Sequence, residues 1–116
     1  MNRIGLLAAA LGAAFGTATA ASAATPKLIG SDSDPFKISL TLAGKKVTAL
    51  KAGTYTIVVQ DTAADHNFHL KGPGLDKTTS VGGKGTTTWT VVLKKGTYTY
   101  VCDPHSSFMK GSFTVS

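Results

Sequence analysis

From Phe36 to Ser116 the chain is a succession of short Thr- and Val-rich runs broken by glycine, and none of them sustains the periodicity of an amphipathic helix. A sequence without helical faces has to bury its apolar groups by strand alternation, so the class is all-β. Ile38, Leu40 and Leu42 alternate with Lys37, Ser39 and Thr41; Ala43-Gly44-Lys45 turns the chain, and Val47 to Leu50 resumes an extended run. Thr54 to Gln60 puts Tyr55, Ile57 and Val59 on one face, with Val58 opposite them, the pattern of an internal strand. Thr86 to Leu93, Thr97 to Cys102 and Lys110 to Val115 repeat the alternation, the first two each after a glycine-containing turn. About seven or eight short strands at this spacing predict a sandwich or a barrel. A length of 116 residues allows one domain, and a hydrophobic share of 42% excludes a disordered polybasic tail.

The N-terminus has a different composition. Arg3 is the only early charge; it precedes the apolar run Ile4 to Phe15 and a small-residue stretch ending in Ala21-Ser22-Ala23. This is the layout of a secretory signal peptide over residues 1–23, followed by an N-terminal extension over 24–35 and the domain proper over 36–116. The apolar run is too short for a spanning helix, so no stable membrane insertion is expected once the leader is cleaved. The product is then an exported monomer, periplasmic or secreted. The part after the leader has eleven Lys, six Asp, no Arg and no Glu, a charge of +5. Nucleic-acid readers depend on Arg for bidentate contacts, so scattered Lys indicate a solvated basic surface that steers toward an acidic partner.

The residues that carry chemistry are scarce and clustered. Cys102, His105 and Met109 fall within eight residues between two strands, with Pro104 stiffening the first gap. Thiolate, imidazole and thioether are the ligands of a copper electron-transfer site, in which two His and one Cys form a trigonal array with a weak axial Met. A second imidazole has to come from elsewhere in the chain. In the run His66 to Lys71, His66 shares parity with Phe68 and Leu70, and His69 with Asn67 and Lys71, so His66 is the one expected to point inward. Cys102 shares the apolar parity of Tyr98 and Tyr100. A lone thiol in an exported chain also needs burial or a metal to escape oxidation. Structural zinc sites rarely take Met, and a hydrolase built on Cys102 lacks a glycine-rich oxyanion turn, so neither zinc nor an enzyme is expected.

With the His66-Asn67 pair and the Cys102-x-x-His105-x-x-x-Met109 loop ahead of the last strand, the stretch Phe36 to Ser116 resembles the cupredoxins, the small blue copper proteins that include plastocyanin, amicyanin and pseudoazurin. The resemblance implies a Greek-key β-sandwich and one copper ion held by His66, Cys102, His105 and Met109, with Asn67 supporting the Cys loop. The interval from His105 to Met109 is one residue longer than in amicyanin-like loops and one shorter than in plastocyanin-like ones. Asp65 stands where the family carries Pro or a similar residue, which adds charge near the copper. The implied function is one-electron transfer between redox protein partners, with the edge of His105 as the electron port. The alternative is a copper carrier that hands over the ion.

Overall fold

Alternation along the runs produces ten strands among the described residues of the computed structural model, residues 24–116; the expected leader over 1–23 lies outside them. These are β1 (Lys27–Ser33), β2 (Lys37–Leu42), β3 (Lys45–Lys46), β4 (Ala49–Leu50), β5 (Gly53–Asp61), β6 (His69–Gly72), β7 (Leu75–Thr78), β8 (Gly85–Leu93), β9 (Gly96–Val101) and β10 (Lys110–Val115). They form two five-stranded sheets, ordered β3-β2-β1-β5-β8 and β4-β10-β9-β6-β7. Both are mixed: β1 runs parallel to β5, and β4 parallel to β10. The chain passes repeatedly from one sheet to the other, as a Greek-key sandwich requires.

The core lies between the sheets. Leu28, Leu40, Ile57, Val59, Val91 and Leu93 come from one inner face, and Leu70, Tyr98, Tyr100, Phe113 and Val115 from the other. Aromatic rings fill the wider gaps: Phe68 stacks on Tyr100 at 5.5 Å and Tyr98 on Phe113 at 5.2 Å between centroids. Gly30 in β1 lets the Phe68 ring approach the backbone, since a Cβ there would sit 3.0 Å from the ring. Gly72 does the same for Tyr98, whose ring occupies the space a Cβ would take.

Two departures from the sequence reading concern the edges of runs. Residues 24–35, read as an extension ahead of the domain, contribute β1, which lies in the middle of its sheet between β2 and β5. The run Val47 to Leu50 is a crossing between sheets: β3 pairs with β2, and β4 pairs with β10 in the other sheet. Elsewhere the chain turns after Gly72, and Leu75–Thr78 folds back on β6 as β7.

Register determines which residues meet at one end of the sandwich. His69 pairs with Val101 across the antiparallel β6–β9 ladder, so residues just before His69 lie beside those just after Val101. Lys110 also pairs with Val101, which brings the start of β10 to the same place.

Candidate metal centre

Three chain segments converge at that end. His66 lies in the irregular approach to β6, Cys102 directly follows β9, and His105 ends a single 3-10 turn, Asp103–His105, with Pro104 in its first turn. Cys102 Sγ is 3.6 Å from His66 Nδ1 and 3.5 Å from His105 Nδ1, and the two Nδ1 atoms are 3.2 Å apart. Sulfur and nitrogens therefore face a common point. His66 and Cys102 are fully buried, whereas His105 is half-buried.

The Cys loop is tied back on itself. His105 N–H donates to Cys102 O (3.0 Å), Met109 N–H to His105 O (2.9 Å), and Cys102 N–H to Met109 O (2.9 Å). The backbone of Met109 is thus bonded to both neighbouring site residues, and its side chain is buried. Asn67 locks the loop to the β6 approach: Asp103 N–H donates to Asn67 Oδ1 (2.7 Å), and Asn67 Nδ2 donates to Asp103 Oδ2 (2.8 Å) and to the β7 end at Thr78 and Thr79.

Parity selects the histidine found in the cluster, although the strand on which the argument relied begins only at His69. Both His66 and Asn67 are buried, which a regular strand would not allow for neighbours on a one-sided face. His69 lies outside the cluster. Its Nδ1 is 2.9 Å from Asp103 and its Nε2 2.7 Å from Asp76. Burial works to lower its pKa, but the hydrogen bonds to Asp103 and Asp76 outweigh that and hold it above its ordinary value. Asp103 is correspondingly held low: burial would raise it, and bonds from Asn67 and His69 prevail.

Sequence reasoning missed the β1–β2 turn. Asp34 Oδ1 is 3.1 Å from His66 Nε2, closer than Asp65 Oδ1 at 3.8 Å. Phe36 packs edge-on against His66 and His105, at 5.9 and 5.1 Å between centroids. Asp-Pro after a run of alternating residues signals a turn, but nothing local indicates which histidine lies below it. Also missed were two inward-facing carboxyls, Asp32 and Asp61, which pair in register between β1 and β5. Both oxygens of Asp32 and Oδ2 of Asp61 have no hydrogen-bond partner. Burial first, then the neighbouring Asp61 carboxyl, push the Asp32 carboxyl up to about 8.

The donor set suits copper. Cys102 Sγ is a buried, soft donor; burial raises its thiol above the ordinary value, against backbone hydrogen bonds of Asn67 and His105 that lower it and with Asp32 and Asp103 adding to the rise. Two imidazoles beside it make the His2Cys combination that copper prefers to zinc when a thioether is close in the chain.

Comparison with known proteins agrees with this chemistry. A family model described as copper binding proteins, plastocyanin/azurin family, matches residues 37–116. Among solved structures, reduced rusticyanin is 22% identical with a TM-score of 0.59, covering 83% of this chain and 82% of that one. Rusticyanin from Thiobacillus ferrooxidans is 24% identical with a TM-score of 0.57, covering 82% and 79%. An amicyanin variant in its reduced Cu(I) form is 22% identical with a TM-score of 0.51, covering 81% and 86%. At these identities the structural likeness establishes the fold. No curated protein sequence matches the chain. The family match runs through most of the strands and every residue of the His–Cys–His cluster, and on that ground the chain belongs to the copper-binding plastocyanin/azurin family, the cupredoxins.

Proposed function

We propose that the protein is an exported blue copper electron carrier, in which His66, Cys102, His105 and Met109 would hold one copper ion. The observation that carries this reading is the convergence of a buried thiol and two imidazole nitrogens within 3.6 Å of one another. When bound, copper supplies a one-electron Cu(II)/Cu(I) couple. The chain contributes rigidity: the hydrogen-bonded loop, the Asn67 clamp and the aromatic core hold the donors where they are whichever charge the site carries, and a site that does not rearrange exchanges electrons with little reorganisation.

His105 is the half-buried member of the cluster, flanked by the exposed rings of Phe36 and Phe108. That apolar rim makes the imidazole edge the port for electrons, and the Lys-rich surface steers an acidic redox partner toward it. The Ala-rich leader supports export to a periplasmic or extracellular space.

Reversible voltammetry of the copper-loaded protein, run beside copper transfer to a chelating acceptor, tests the assignment. Electron carriage predicts a reversible one-electron wave and slow release of the ion. Rapid handover of copper without efficient electron exchange would make the protein a copper carrier instead.

A further inference from the structure

His66 is fully enclosed, so both of its ring nitrogens need partners inside the protein. Nδ1 faces Cys102 Sγ and His105 Nδ1. On the opposite side of the ring, Nε2 meets Asp34 Oδ1 at 3.1 Å, while Asp65 Oδ1 stands off at 3.8 Å. An imidazole has one proton to give when neutral, and a carboxylate can only accept it. Asp34 therefore draws the proton to Nε2 and leaves a lone pair on Nδ1, the side that faces the thiol. The turn that carries Asp34 is itself fixed against the site, because Phe36, two residues on, packs on both imidazoles.

We propose that Asp34 is a positioning residue for His66, fixing its tautomer and ring orientation, and that its negative charge favours Cu(II) over Cu(I). The proposal rests on His66 being a copper ligand. A carboxylate behind a metal-bound imidazole makes the ring a stronger donor and adds negative charge near the metal, and both effects stabilise the higher oxidation state. Most of the Asp34 side chain is exposed, so solvent screens part of the charge. Its effect should still exceed that of Asp65, which lies farther from Nε2.

The test compares the wild type, Asp34→Asn, Asp34→Ala and Asp65→Asn. In the metal-free proteins, nitrogen-15 NMR of the imidazoles should show the His66 proton on Nε2 and slow to exchange in the wild type, and fast-exchanging in Asp34→Ala. With copper bound and at one fixed pH, Asp34→Asn should keep the thiolate charge-transfer band and move the reduction potential upward, further than Asp65→Asn does. A His66 proton on Nδ1 in the metal-free wild type would overturn the proposal. So would an Asp34→Asn potential no higher than that of the wild type or of Asp65→Asn. Absence of the charge-transfer band in the wild type would overturn the copper reading together with the charge effect, while the metal-free spectra still judge the tautomer by themselves.

Discussion

The Cys102 thiol is held above its ordinary pKa by burial, so in the metal-free protein the sulfur carries a proton through the neutral range and must lose it to become a ligand. Apparent copper(II) affinity should therefore rise with pH, by about tenfold per unit for the thiol proton alone. Competition against a chelator of known affinity at pH 6, 7 and 8 checks this, and an affinity independent of pH would contradict it. Asn67 acts through hydrogen bonds alone. Asn67→Ala removes the buried amide that accepts from Asp103 N–H and donates to Asp103, Thr78 and Thr79, and the metal-free protein should lose about 1–3 kcal/mol in urea denaturation.

Among the elements, close contact between rings and glycines is the feature most exposed to substitution. Gly72→Ala drives a methyl group into the fully buried Tyr98 ring and should cost about 1–3 kcal/mol. Gly82→Ala, with no atom within 4 Å of the new Cβ, should change stability by less than about 0.5 kcal/mol. Thermal or urea unfolding of the two variants side by side measures the difference. Elements whose inward residues are large and apolar were legible in the sequence: β5, β8, β9 and β10 follow the alternation of Tyr55-Ile57-Val59, Val91-Leu93, Tyr98-Tyr100 and Phe113-Val115. β1 was not, because its inward positions are Leu28, Gly30 and Asp32, and a glycine under a ring followed by a buried carboxyl leaves no apolar stripe. The site was legible for a related reason. Cys102 and His105 lie close in sequence and His66 shares the parity of Phe68 and Leu70, whereas Asp34 reaches His66 through a fold that brings β1 beside β5 and leaves no local trace.

At the scale of the whole molecule, a carboxyl pair is built into the sheet at the site end. Asp32 sits near 8 when folded against an ordinary value of 3.8, so between those values the native state holds a proton that the unfolded chain has released. Its contribution is complete below about pH 4 and is lost as pH rises toward 8, so the metal-free protein should be more stable at pH 5 than at pH 8. His69, also raised, adds a smaller slope of the same sign. Asp32→Asn removes the titrating carboxyl and should flatten most of the pH dependence; equal slopes in the two proteins would contradict the assignment to Asp32. The two sheets, the tied Cys loop and the Asn67 clamp together serve to hold one buried thiol between two imidazoles. Titration of the metal-free protein with Cu(II), followed by visible absorption, tests that claim most directly. The account predicts an intense thiolate-to-copper band that saturates at one equivalent and is absent in Cys102→Ser; no such band in the wild type, or its persistence in Cys102→Ser, would contradict it.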